Sequence, residues 1–357
     1  MTDEHAARKD EHLRLATDQH RSEGRNGFDD LAFVHHALPG TCTGSVDPGT
    51  VVCGSRWELP FYINAMTGGT GTTAAVNARL ARAAAAAGVA IACGSQHIAL
   101  RDPARADGFA VIRREAPDAF VLANVGPTVS PGLARQAVEM VGANALQVHL
   151  NVAQELVMPE GDRDFRAWAD RIAAVVAAVP VPVVVKEVGF GLSRRTVSQL
   201  AQAQVAAVDI AGAGGTDFIA IENSRRPRQD YSYLAGWGQS APLCLLECLS
   251  GPDPVRVPVL ASGGVRTPLD VLRALALGAE AVGVSGHFLR VLVDGGEQAL
   301  HDELAAWTEQ LRSLMTLVGA PDLAALRRTD LLVTGQTAER ARLLGVDLTA
   351  LARRSYR

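Results

Sequence analysis

Asn144-Ala-Leu-Gln-Val-His149-Leu-Asn151-Val-Ala-Gln154-Glu155 is the stretch from which the rest of the chain can be read. Leu146, Val148 and Leu150 alternate with Gln147, His149 and Asn151, the two-residue period of a β-strand. Gln154 and Glu155 follow within one loop's reach. Polar groups crowded at the end of an apolar strand are costly to desolvate unless something engages them. In parallel α/β proteins, ligands sit beyond the carboxyl ends of the strands. The stretch therefore predicts a buried strand that ends in the floor of an active site. Its plainer reading is a strand end whose polar groups cap a neighbouring helix.

The same pattern recurs on both sides. Apolar runs of strand length at 61–66, 89–93, 120–124, 145–149, 181–187, 206–210, 258–262 and 281–285 each end in small or polar residues. Between them, 72–87, 107–116, 131–141, 164–178, 193–203 and 268–277 read as helices, with Ser193 and Thr267-Pro268 as starting signals. Eight strand–helix units over about 230 residues predict an α/β fold, a (β/α)8 TIM barrel. The competing open, doubly wound sheet calls for a full GxGxxG after its first strand. Gly212-Ala-Gly-Gly-Thr-Asp and Gly189-Phe-Gly-Leu-Ser-Arg both lack the third glycine. No boundary requires a second domain. Residues 1–59 read as an N-terminal arm and lead-in, 60–290 as the barrel, and 291–357 as a C-terminal helical extension. In that extension Leu300, Leu304, Trp307, Leu311, Leu314, Met315 and Val318 form one helical stripe, predicted to pack on the barrel or on another subunit. The long connection 225–248 is a candidate lid.

Composition narrows the function. With 357 residues, a formal net charge of −4 and 5% aromatic residues, the chain has neither the bulk positive charge nor the stacking platform that nucleic-acid binding calls for. Its longest apolar stretches, 83–93 and 172–185, are too short to span a bilayer. The first dozen residues hold no apolar signal core, which predicts a cytoplasmic protein. Cys42, Cys53, Cys93, Cys244 and Cys248 form no CxxC pair and read as reduced structural thiols.

The predicted strand ends make one rim of small, donor-rich loops: Met66-Thr67-Gly-Gly, Gly94-Ser95-Gln96, Asn124-Val-Gly, the His149 to Glu155 run, Lys186-Glu-Val-Gly, Gly212-Ala-Gly-Gly-Thr216, Ser262-Gly-Gly264-Val-Arg266 and Val284-Ser285-Gly286. One such loop is ordinary turn chemistry. Eight together suit a large, flat, anionic cofactor. The seventh and eighth loops are where barrels hold phosphate on backbone amides. Lys186 at a strand end calls for an anionic partner, such as the N1/O2 edge of a reduced flavin. Glu155, with water and a diphosphate, suits Mg²⁺, an ion that keeps most of its water.

These residues resemble those of type II isopentenyl-diphosphate Δ-isomerases, FMN-dependent barrel enzymes. The resemblance runs from Arg8-Lys9-Asp10 to about Leu332 and is carried by His149-Leu-Asn-Val-Ala-Gln-Glu155, Pro159-Glu-Gly-Asp-Arg163, Val185-Lys-Glu-Val-Gly189, Trp237-Gly-Gln239 and Leu314-Met-Thr-Leu-Val-Gly319, beside the loops above. It implies FMN contacts from Ala65, Met66, Thr67, Ser95, Asn124, Lys186, Thr216, Gly264, Arg266, Ser285 and Gly286. It implies diphosphate contacts from Arg8, Lys9, Ser95, Gln96 and Gln154, with Mg²⁺ on Glu155 and the arm over the barrel mouth. His97 stands where many members have arginine. The implied reaction interconverts isopentenyl and dimethylallyl diphosphate. Reduced FMN acts as acid and base, NADPH serves only as reductant, and Gln154, His149 and Asn151 form the catalytic set. The stripe and family habit imply a homotetramer or larger. Gln154 is no ordinary acid near neutral pH, which leaves the proton transfer to the flavin. The alternative on the same barrel is an FMN oxidoreductase of the 2-hydroxy-acid dehydrogenase type. That chemistry calls for a catalytic histidine near an arginine after the seventh and eighth strands, and His287 is the candidate.

Overall fold

The computed structural model describes residues 24–65 and 70–356, together with Gly68 and, in the arm, Glu11, Arg14, Leu15, Thr17, Asp18 and Gln19. Arg8, Lys9, Met66 and Thr67 lie outside the described residues. Eight parallel strands close into a barrel: β1 (Phe61–Ile63), β2 (Ala90–Ala92), β3 (Val121–Val125), β4 (Ala145–His149), β5 (Val183–Lys186), β6 (Ala207–Asp209), β7 (Val259–Ser262) and β8 (Val282–Val284). Closure comes from β8 on β1, with Val282 opposite Phe61. These are the eight apolar runs of the sequence, trimmed or shifted at their ends, where strand boundaries are least determined by pattern.

The expected helices follow at Gly71–Ala87, Asp107–Glu115, Pro131–Met140, Trp168–Ala178, Arg194–Gln202 and Pro268–Ala276. Ser193 and Thr267 cap theirs by accepting from the backbone N–H of Thr196 and Asp270. The fourth begins later than the pattern suggests. Asp164 accepts from the Arg166 N–H at 3.1 Å and pairs with its guanidinium, closing a turn ahead of the helix.

Alternation along each strand sorts the interior. In β4, Leu146 and Val148 face the helix layer, while Ala145 packs inside the barrel. The inner cluster sets Tyr62, Leu122, Val184 and Leu260 among Ala90, Ala92, Ala145, Ala207 and Ala281. Across the strands Tyr62 is paired with Ala90, Leu122 with Ala145 and Val184 with Ala207, large beside small, as close packing of the bore requires. Trp57, from the hairpin Thr50–Val52/Ser55–Trp57, joins this cluster, its ring 5.5 Å from Tyr62 and 5.1 Å from Phe120.

The C-terminal stripe packs on its own barrel. Leu300, Leu304, Trp307, Leu311 and Met315 are buried within the single chain, and Trp307 lies 4.8 Å from Phe288 and 5.9 Å from Phe61, centroid to centroid. Those five side chains are therefore not available to a second subunit. Their helix, Gly286–Leu317, breaks at Gly296, where φ is +84°. The lead-in and the C-terminal extension meet in an antiparallel pair, Leu31–Phe33 with Leu331–Val333. Among the described residues, no helix is long and apolar enough to cross a membrane.

Candidate active site

The carboxyl ends of the barrel strands open into a cavity of about 740 Å³. Above the apolar bore, the last inward position of each strand can be polar because it meets the cavity instead of a packed core. Register sets His149 opposite Lys186, both at the cavity, and Lys186 opposite Asp209, which is buried beneath it. Asn64, Asn124, His149, Lys186 and Ser262 all line the cavity. His149 Nδ1 lies 2.9 Å from Asn124 Oδ1.

Gln96, expected to touch a diphosphate, is fully buried and does not line the cavity. Its Oε1 accepts from the Asn124 backbone N–H at 2.9 Å and its Nε2 donates to Ala137 O at 2.9 Å. Both ends of the amide are engaged inside the protein, so Gln96 holds Asn124 and, through it, His149. Ser95 and His97, its neighbours, do reach the cavity.

Lys186 meets the cavity almost wholly desolvated, 6% exposed, and Nζ donates to Glu187 O at 2.7 Å. Burial pulls its ammonium below the usual lysine range, against the opposing pull of the Asp209 and Glu187 carboxylates. Asp209, fully buried, accepts from Tyr62 Oη (3.0 Å), Asn64 Nδ2 (2.8 Å), Ser262 Oγ (2.8 Å) and Ala211 N (3.1 Å). Burial raises Glu187 to about 7, although one of its oxygens accepts from the N–H groups of Val188, Gly189 and Phe190. That turn fixes the loop after β5.

Thr216, Gly264, Ser285, Gly286 and Ala65 line the opposite side, where the loops after β6, β7 and β8 converge. Gly263 and Gly264 have φ of +91° and +76°. A Cβ on Gly263 would sit 1.9 Å from Gly212 O, a backbone atom that cannot swing away. Gly263→Ala is therefore expected to cost about 2–3 kcal/mol of stability and to weaken flavin retention, read as a lower Tm and a colourless protein after gel filtration.

Arg266 departs from expectation. It does not line the cavity; its guanidinium pairs with Asp29 (2.8 Å) and Asp270 (3.0 Å) and donates to Gly24 O. Two carboxylates already neutralise it. It acts by tying the lead-in segment to the β7 loop, where Asn26 Nδ2 also donates to Gly264 O at 2.7 Å. Hydrogen bonding to Arg266 holds Asp29 down to about 2. The folded pKa lies below that of the unfolded chain, so the contact stabilises above about pH 4 and is lost as pH falls toward 2. Asp29→Asn is expected to lower the Tm above about pH 4 and to converge on the unsubstituted protein as pH falls toward 2, which flattens the acid limb of a Tm-against-pH curve.

The third wall follows β4. Asn151 Nδ2 donates to Glu155 Oε1 at 2.8 Å and lies 3.3 Å from Gln154 Oε1. The other Glu155 oxygen accepts from Asp162 N at 2.8 Å. Gln154 Nε2 donates to Glu222, a fully buried carboxylate, at 2.8 Å, and Glu222 pairs with Arg225. Sequence reading missed Glu222, Arg225 and Asp209. Asp209 was findable, since it is the polar residue one short of the end of the run 206–210, as Lys186 is of 181–187. Glu222 lies within the helix Phe218–Ser224 and carries no such signal. The connection 225–248 packs down, with Gln239 N donating to Phe190 O and the Arg226 guanidinium 4.7 Å over Tyr231. Trp237 is exposed and does not line the cavity.

A sequence model of FMN-dependent dehydrogenases matches residues 125–333. The chain is 54% identical over 351 residues to the isopentenyl-diphosphate delta-isomerase of Kitasatospora griseola, covering 98% of this chain and 95% of that one. The chain belongs to the type II isopentenyl-diphosphate delta-isomerase family. The isomerase of Streptomyces sp. (strain CL190) is 50% identical, with 98% and 96% covered, and that of Latilactobacillus sakei 46%, with 92% and 93% covered. Solved structures share the fold: an (S)-mandelate dehydrogenase (TM-score 0.63, 19% identity, 88% and 89% covered) and a Pediococcus acidilactici lactate oxidase (0.64, 15%, 94% and 94%). For an isomerase of this family, His287 belongs to the packing. It lies 2.6 Å from Glu303 and against the rings of Phe288 and Trp307, away from the cavity. The histidine that the oxidoreductase alternative would use is thus missing from the site.

The residues present fit a flavin mononucleotide. Buried Lys186 and a glycine turn in which a Cβ on Gly263 would strike backbone line one cavity wide enough for a flat ring system with a phosphate tail. Among the described residues, no group of three or more His, Cys, Asp or Glu side chains could cage a metal ion. Glu155, held by Asn151 and Asp162 at the cavity, is a carboxylate that could hold an ion whose remaining ligands are water and substrate oxygens.

Proposed function

We propose that the cavity interconverts isopentenyl and dimethylallyl diphosphate, with FMN on Lys186, Asn124, Ala65, Ser95, Thr216, Gly264, Ser285 and Gly286, and with Met66 and Thr67 completing the contacts. Bound there in reduced form, FMN would supply the proton-transfer chemistry that the side chains of the site lack. The chain's own groups bind and orient. Asn151 fixes Glu155, which would hold the diphosphate's Mg²⁺, Gln154 and Ser95 would hold the diphosphate, and His149, fixed by Asn124, would border the five-carbon unit. Arg8 and Lys9, outside the described residues, are further diphosphate contacts that the family resemblance implies. A side-chain amide such as Gln154 moves no proton by itself near neutral pH, so these residues position and exclude water. NADPH serves as reductant without net redox change. The protein works in the cytoplasm as a homotetramer or larger, a reading that rests on the family resemblance now that the helical stripe is buried in its own chain.

The observation that carries this reading is the meeting, in one cavity, of the amide cradle and buried Lys186 with the Asn151–Gln154–Glu155 cluster. Proton NMR of isopentenyl diphosphate with protein, FMN, Mg²⁺ and NADPH in heavy water should show dimethylallyl diphosphate carrying deuterium. Replacing FMN by 5-deaza-FMN should abolish turnover. Full activity with the deaza analogue, or turnover of lactate in place of the diphosphate, would overturn the reading.

A further inference from the structure

We propose that Arg225 is a positioning residue that couples docking of the N-terminal arm to the orientation of Gln154. The inference rests on the isomerase reading above. The Arg225 guanidinium reaches carboxylates from three separate segments: Glu222 through Nη1, Glu160 through Nη2 at 3.1 Å, and Glu11 of the arm through Nε at 3.6 Å. A planar fork can serve three anions in three directions, whereas an ammonium is a point charge.

Glu222 links this hub to chemistry. One of its oxygens takes Arg225 and the other takes Gln154 Nε2 at 2.8 Å. An ionised carboxylate only accepts, so it obliges the Gln154 amide to present its NH₂ there. Gln154 Oε1 is then turned toward Asn151. A primary amide rotates by half a turn at little steric cost, so its sense is set by its partners. Arg225 keeps Glu222 an acceptor and thereby sets that sense.

The arm is held at both ends of the same helix. Gln19 exchanges two hydrogen bonds with the backbone of Asp217, Oε1 accepting from its N–H at 2.9 Å and Nε2 donating to its carbonyl at 3.1 Å. Asp217 is the cap that precedes Phe218–Ser224, and Arg225 is the residue that follows it. Residues 11 and 19 therefore bracket the helix that carries Glu222, running antiparallel to it. An arm that seats wrongly disturbs the ion pair that aims Gln154, and loss of Arg225 unseats the arm.

The test compares Arg225→Lys, Glu11→Gln and the double variant as flavin-loaded proteins. Arg225→Lys should lower kcat about tenfold or more and raise the KM for isopentenyl diphosphate, with flavin absorbance retained. Glu11→Gln should raise KM severalfold with a smaller change in kcat. The double variant should be no worse than Arg225→Lys, because both act through one contact. Trypsin cleavage after Arg14, with Mg²⁺ and inorganic pyrophosphate present, should be faster in all three. Unchanged kcat and KM in Arg225→Lys, or effects that multiply in the double variant, would overturn the proposal. Should Arg225→Lys fail to fold, Glu11→Gln decides alone: unchanged KM and unchanged cleavage overturn it. A wild-type protein that does not isomerise the diphosphate would sink the functional reading, and the cleavage comparison would still decide whether Arg225 seats the arm.

Discussion

Glu155→Gln should remove Mg²⁺-dependent isomerisation while leaving flavin bound. Both Glu155 oxygens are held, one by Asn151 Nδ2 and one by Asp162 N, so the carboxylate faces the cavity in a fixed pose and keeps lone pairs for an ion. A neutral amide loses the charge that a divalent ion needs, and its NH₂ would have to face either the Asp162 N–H or the Asn151 NH₂, donor against donor. Metal neutralisation of a reacting anion is worth several kcal/mol, so activity at limiting Mg²⁺ should fall about a hundredfold or more. The flavin walls lie on other strands, so absorbance of the purified variant should be unchanged. Steady-state rates across a Mg²⁺ titration provide the check. An unaltered titration curve would remove Glu155 from the metal site.

Lys186→Met should produce the opposite pattern, with flavin lost and the Glu155 corner intact. Lys186 is a buried cation at the cavity, its charge is drawn toward Asp209 and Glu187, and on the proposed reading it would meet an anionic ring edge. A hydrogen bond to a charged group is worth about 1.5–3 kcal/mol, so the Kd for FMN should rise roughly ten- to hundredfold. Asp209 keeps its donors from Tyr62, Asn64, Ser262 and Ala211, so the fold should survive, though with a lower Tm. Flavin fluorescence on titration of the apoprotein gives the Kd directly. Retention of FMN at wild-type affinity would mean that the backbone cradle alone holds the cofactor.

Some of this architecture was legible in the chain and some was not, and the division has a physical cause. Strand and helix periods are local, so eight apolar runs with helices between them sufficed for the barrel, and the strand termini sufficed for the side on which ligands bind. Lys186, Asn124, His149, Ser285 and Gly286 were readable as cavity residues because each stands at or just beyond a strand end, where direction follows from the period of two. Gln96 and Arg266 stand in loops, where no period sets direction, and the fold turned one amide inward to Ala137 and one guanidinium outward to Asp29. Glu222 and Arg225 became part of the site only because the loop after β6 crosses above the β4 cluster, a contact between residues 68 apart in the case of Gln154 and Glu222. Order along the chain thus determined the barrel and its open end. Which polar groups face the cavity, and which are held by partners far away in sequence, was decided by closure of the ring, because side-chain partners across a barrel are fixed by strand register and loop crossing rather than by neighbours in the chain.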